Sequence, residues 1–146
     1  MKFWPIQRDG GVADLPYPVP DAVAPVLATF SAMYDSVAYA PPWICYLVSE
    51  GEAVVGTCGF KGPPAGGRVE VAYFTLPGQE GRGVATRMTQ QLLRMAEAQD
   101  PTVLIAAQTL REHGASTRIL QKLGFELWGE VNHPEDGLVW EWRRRT

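Results

Sequence analysis

The chain has 146 residues, 46% hydrophobic and 20% charged, with a formal net charge of −3. That length supports one domain with its own core over residues 1–146, and the composition excludes a disordered chain. The acidic balance argues against a nucleic-acid partner, and no apolar run approaches membrane-spanning length. Met1 to Gly10 lacks the apolar stretch of a signal peptide, so a cytoplasmic location is expected. Cys45 and Cys58 should then be reduced thiols, and two Cys with the distant His113 and His133 make no metal set.

In chain order, Phe3 to Ile6 reads as a short strand that Pro5 confines to a sheet edge. Pro16, Pro18 and Pro20 make an extended connector. Asp21 is placed to cap a helix running to about Tyr39, with Val23, Leu27, Phe30 and Tyr34 as its buried stripe. Pro41-Pro42 ends that segment. Trp43 to Ser49 and Ala53 to Phe60 then read as a β-hairpin turning at Glu50-Gly51-Glu52. An even-length loop would set Cys45 opposite Cys58. Gly56 and Gly59 mark a bulge or a close approach in the returning strand.

Arg68 to Leu76 is the next strand, and Pro77 to Gly83 is a glycine-bearing loop. Val84 to Gln99 is an amphipathic helix with Val84, Met88, Leu92, Met95 and Ala96 on one face. Val103 to Ala107 is an apolar run suited to a strand covered on both faces, so the order from Arg68 to Ala107 is a right-handed βαβ crossover. A short helix follows, Ala115 to Leu123, ended by Gly124. Phe125 to Val131 and Leu138 to Arg143 form a closing hairpin, with Trp140 and Trp142 on one face and His133 exposed in its loop. Arg143-Arg144-Arg145 reads as a solvated tail. The fold class is α/β (α+β).

A strand feeding a glycine loop into a helix N-terminus suits an anion. The first helical N–H groups lack intrahelical partners, and the helix dipole favours negative charge. Small residues at Gly81, Gly83 and Ala85 allow a phosphate to approach. A dinucleotide site would want an acidic residue at the end of the next strand. Ala106 to Leu110 carries none, and a helix and an antiparallel hairpin come before the βαβ unit.

Three stretches bear a family likeness. They are Val69 to Leu76, Gly81-Arg82-Gly83-Val84-Ala85-Thr86, and Ala115-Ser116 with Ile119 to Phe125. In this order and spacing the chain resembles the GNAT N-acetyltransferases, most nearly the ribosomal-protein alanine N-acetyltransferase branch. The resemblance implies a mixed, mostly antiparallel sheet of about seven strands with flanking helices. A central parallel pair would splay around acetyl-CoA. It implies that backbone around Phe74, Thr75 and Leu76 pairs with the pantetheine arm and polarises the thioester carbonyl, while Gly81 to Thr86 holds the pyrophosphate.

By the same resemblance Glu70 is the candidate general base, its apolar neighbours favouring a raised pKa; alternatively it is an ordinary strand glutamate facing water or paired with an arginine. Ser116 is the candidate proton donor or a cofactor contact, or else an ordinary helix-start hydroxyl. The tyrosine that many family members use as acid is replaced by Leu120. Gly78 and Glu80 depart from the expected loop, Glu80 bringing a carboxylate towards the phosphates. His113 stands where an asparagine is common and is expected to contact the cofactor or cap the helix. The implied activity is acetyl transfer to a primary amine, a protein N-terminus or a small molecule, by a monomer or homodimer needing no metal. The alternative is a catalytically silent acyl-CoA-binding module.

Overall fold

A computed structural model describes residues 1–145. Its strands are β1 (Lys2–Pro5), β2 (Cys45–Glu50), β3 (Ala53–Phe60), β4 (Arg68–Thr75), β5 (Leu104–Thr109), β6 (Glu126–His133) and β7 (Gly137–Arg145). Its helices are α1 (Ala24–Met33), α2 (Val84–Gln99) and α3 (Ala115–Lys122), with a 3₁₀ turn at Asp21–Val23. One seven-stranded sheet runs in the order β1-β2-β3-β4-β5-β7-β6. Every neighbouring pair is antiparallel except β4 and β5. The mixed α/β architecture and the central parallel pair are as expected.

The helices cover the sheet because each has an apolar stripe to bury. On α2, Met88, Leu92 and Ala96 are fully buried in a cluster with Val69, Val71, Ile105 and Trp142. Each of the two larger side chains contributes roughly 1.5–3 kcal/mol through burial. Leu27, Phe30 and Met33 of α1 pack on a second cluster that contains Cys45, Leu47 and Val54.

α1 is shorter than its sequence suggests, ending at Met33 rather than near Tyr39. The chain leaves the helix where the Tyr34 hydroxyl accepts a hydrogen bond from the Cys45 N–H, 3.0 Å away. Asp21 does not cap it: the position before the 3₁₀ turn is Pro20, and no side chain caps there.

The cysteines do not face each other. Cys45 pairs with Gly59 and Tyr46 with Cys58, because the register shifts between Val48 and Ser49. The extra residue, Val55, turns the two thiols into different core clusters. Gly56 follows the bulge at a close approach: a Cβ there would stand 2.4 Å from the Phe74 carbonyl oxygen.

Two expectations for the closing hairpin also change. Arg143 and Arg144 are paired strand residues of β7, not a solvated tail. The Arg144 side chain donates to the Leu123 carbonyl at 2.8 Å and to Glu97 at 2.9 Å. Arg143 lies 3.8 Å over the Trp128 ring. Of the tryptophans only Trp128 is exposed; Trp142 is buried and Trp140 partly covered. His133 is half-buried, its Nδ1 accepting from the N–H groups of Glu135 and Asp136 across the turn.

Candidate active site

The site begins where β4 and β5 separate. Their parallel pairing consists of Arg68 with Leu104, Val69 with Ile105 and Glu70 with Ala106. Beyond Glu70 the strands diverge, β4 staying with β3 up to Thr75 and β5 with β7 up to Thr109. Glu70 therefore marks the apex of a fork whose floor is open.

One cavity, of about 570 Å³, lies along the outer half of β4 and the start of α2. Phe74, Thr75, Gly81, Gly83, Val84, Ala85 and Thr86 line it. Gly83 precedes α2 in the left-handed conformation, and no side chain caps the helix. A residue with a Cβ would be strained there. The N–H groups of Val84, Ala85 and Thr86 precede the first helical hydrogen bond, made by Arg87 to the Gly83 carbonyl at 3.0 Å. Arg118 and Lys122 project into the same cavity from α3. Uncapped N–H groups and two cations suit a pyrophosphate. Glu80 also lines the cavity, but its carboxylate is folded onto its own loop, accepting from the Gly78 N–H at 2.9 Å.

Three residues expected at the cofactor do not line this cavity. Leu76 is buried, its N–H committed to the Val55 carbonyl and its carbonyl accepting from the Gln79 N–H, both at 2.9 Å. Arg82 is exposed, and its carbonyl accepts from Arg87. His113 neither lines the cavity nor caps α3. The capping position is Gly114, and the His113 ring leans on Trp140 with centroids 5.0 Å apart.

A second cavity, of about 380 Å³, fills the fork itself. Lys61, Glu70, Tyr73, Gln108, Glu112 and Ser116 bring its polar groups. The Glu70 side chain is 13% exposed. Lys61 Nζ stands 2.8 Å from its Oε2, at an angle outside hydrogen bonding, so this buried oxygen keeps no hydrogen-bond donor. Arg68 Nη2 is 3.6 Å from Oε1. Glu70 is thus ion-paired as well as aimed into the fork.

Behind Glu70 lies Glu141, which sequence reasoning passed over. It alternates with Trp140 and Trp142 along the strand. In the fold it is 2% exposed, because β5 and β4 bring Gln108 and Arg68 onto it. Arg68 pairs with it through both Nε and Nη2, and Arg143 Nε donates to it at 2.7 Å. Burial opposes its ionisation, but the hydrogen bonds from Arg68, Arg143 and Gln108 outweigh that and hold the carboxyl below its ordinary value of 4.5. Arg68 bridges the two carboxylates, so Glu141 positions the cation beside Glu70.

The two cavities share Tyr73, Ala115 and Ser116. The Tyr73 hydroxyl donates to the Ser116 carbonyl at 3.3 Å, tying β4 to α3. Burial raises the Tyr73 pKa, only partly offset by that bond. Tyr73 and Lys122 lie within the stretches that carry the family likeness and Arg118 just beside one, but their place at the cavities becomes visible only once α3 is docked.

A strand fork opening onto an uncapped helix N-terminus defines a class, and comparison supports it. The chain belongs to the GNAT acetyltransferase family: the profile described as an acetyltransferase (GNAT) domain matches residues 6–126. No curated protein matches the sequence. Among solved structures, the chain is similar to a ribosomal L7/L12 alpha-N-protein acetyltransferase in complex with coenzyme A, at 16% identity and TM-score 0.67 over 84% of this chain and 70% of that one. It is also similar to a ribosomal-protein-alanine N-acetyltransferase from Brucella melitensis, at 14% identity and TM-score 0.63 over 89% and 98%. An aminoglycoside acetyltransferase in complex with coenzyme A matches at 19% identity and TM-score 0.60 over 70% and 66%. At these identities the likeness is one of fold, and the acceptors those proteins are named for differ. Among the described residues, no helix is long and apolar enough to cross a membrane.

Proposed function

We propose that this chain is an acetyl-CoA-dependent N-acetyltransferase acting on a primary amine by direct attack on the thioester. One observation carries the reading: a phosphate-suited cavity and a carboxylate-bearing cavity meet inside the fork between β4 and β5. The first-turn N–H groups of α2, with Arg118 and Lys122, hold the pyrophosphate. Backbone at Phe74 and Thr75 polarises the acyl carbonyl, where a fixed donor stabilises developing negative charge. The Glu70 carboxylate, at the apex of the fork and lining its cavity, takes the proton an amine must lose before attacking. Ser116 contacts the cofactor from the far wall. Two free buried thiols fit a cytoplasmic setting.

The acceptor is a protein N-terminus or a small amine. It enters past α1, where Val26, Phe30 and Phe74 border a groove of about 290 Å³. The hairpin loop reaches the fork's edge as well, His133 and Asp136 lining a small hollow with Lys61. Calorimetric titration with coenzyme A tests the cofactor assignment. An amine and peptide panel read by free-thiol release tests the transfer.

The ion pairs around Glu70 favour a second reading, a module that binds acyl-CoA without turnover. Tight binding of acetyl-CoA with no thiol release from any panel member would establish it.

A further inference from the structure

We propose that Tyr73 is the proton donor to the departing thiolate, a role that rests on the acetyltransferase reading above. Breaking a thioester C–S bond leaves an electron pair on sulfur, and a thiol is a better leaving group than its anion when a donor stands beside it. The sulfur must lie where the cofactor cavity meets the acceptor cavity. Among the described residues lining both, Tyr73 is the one ionisable group, and Ser116 supplies the only other hydroxyl. Leu120 is fully buried in the core, so α3 brings no acid of its own to this point.

The Tyr73 hydroxyl is also aimed. Its present acceptor is the Ser116 carbonyl, 3.3 Å away on the opposite wall of the fork. That long bond spans the gap between the two cavities and is readily exchanged for a sulfur placed there. A phenol is far more acidic than a serine hydroxyl, and burial keeps it protonated at neutral pH. Four other ionisable groups of the two cavities have different duties. Lys61 and Glu70 pair with each other, while Arg118 and Lys122 lie by the phosphates.

The step balances. Glu70 removes one proton from the ammonium form of the acceptor. The nitrogen lone pair forms the N–C bond, and the C–S bond breaks with its electrons on sulfur. Tyr73 Oη gives its proton to that sulfur. The phenolate then recovers a proton from the acylated nitrogen, which has become strongly acidic, and Tyr73 is restored. Proton transfer from phenol to thiolate alone runs uphill, the more so because burial raises the Tyr73 pKa, and the recovery step draws it forward.

Tyr73→Phe keeps the ring and removes only the hydroxyl, so the fold survives. The measurement needs no known acceptor: the ultraviolet absorbance of the thiolate follows the titration of coenzyme A bound to the full chain. In the wild type a hydrogen bond from Tyr73 stabilises the thiolate. In Tyr73→Phe the bound thiol titrates about one unit higher, a roughly tenfold smaller thiolate fraction below its midpoint. With any amine that turns over, the variant should also lose about 10²-fold or more in kcat with little change in KM for acetyl-CoA. Identical thiol titrations in the two proteins overturn the donor role and leave the acetyltransferase reading standing. A shift seen in Ser116→Ala but not in Tyr73→Phe overturns it in favour of the serine. Failure of the wild type to bind coenzyme A removes the acetyltransferase reading, and the donor role falls with it.

Discussion

The two cavities are built from different materials. The one beside α2 presents backbone N–H groups and two long cations, and its anchor is the left-handed Gly83. The fork presents individual side chains of both signs, with Glu70 held by Lys61 and Arg68 and backed by the buried Glu141. Backbone donors and a helix dipole tolerate changes of side chain, so binding in the first cavity is spread over many groups. Chemistry in the second hangs on single atoms, and one lost oxygen there is felt in full.

That contrast is open to attack in order of expected effect. Glu70→Gln should lower kcat by about 10²–10⁴-fold while leaving coenzyme A affinity unchanged, since a neutral amide accepts no proton. Steady-state kinetics beside calorimetry would check it; amine-dependent thiol release at the wild-type rate would mean that Glu70 is not the base. Glu141→Gln should cost about 1–3 kcal/mol in denaturant unfolding, because Arg68 and Arg143 lose a buried carboxylate.

The same residue carries a pH signature. Its folded pKa lies below its ordinary 4.5, so its stabilisation is present above that pH and is lost as pH falls through the folded value. Unfolding followed below pH 4.5 should show a shallower pH slope in Glu141→Gln than in the wild type.

Removing Arg118 and Lys122 together should weaken coenzyme A binding by about tenfold and reduce its salt dependence, as expected of partly exposed cations near phosphate. The smallest effect is expected at Glu80. Glu80→Gln removes a carboxylate from beside the phosphates and should tighten binding a few-fold, on the order of 0.3–1 kcal/mol. An unchanged affinity would show that the bond to the Gly78 N–H already keeps that charge away.

The order of elements was legible from local pattern. α2 begins and ends where the glycine loop and Asp100-Pro101 place it, and β4 begins as expected and ends one residue early, at Thr75. These signals are short-range, since a helix stripe or a glycine turn is complete within a few residues. The phosphate-suited loop was readable for the same reason. What local pattern missed lies in register and docking. Gly56 announced a bulge or close approach, but only the paired hairpin shows that the bulge at Val55 moves Cys45 away from Cys58. Glu141 drew no expectation from the sequence, and its burial follows from β4 and β5 laying Arg68 and Gln108 over it.

Glu70 shows the division within a single residue. Its type and its place on a strand ahead of the glycine loop are visible in the chain alone. Its place at the apex of the fork exists only because β5 stops pairing with β4 just there, 36 positions along at Ala106. Strand periodicity says which way a side chain points; only the paired sheet says where two strands part, because that depends on contacts between residues far apart in the chain. Tyr73 and Ser116 meet across the same gap for the same reason.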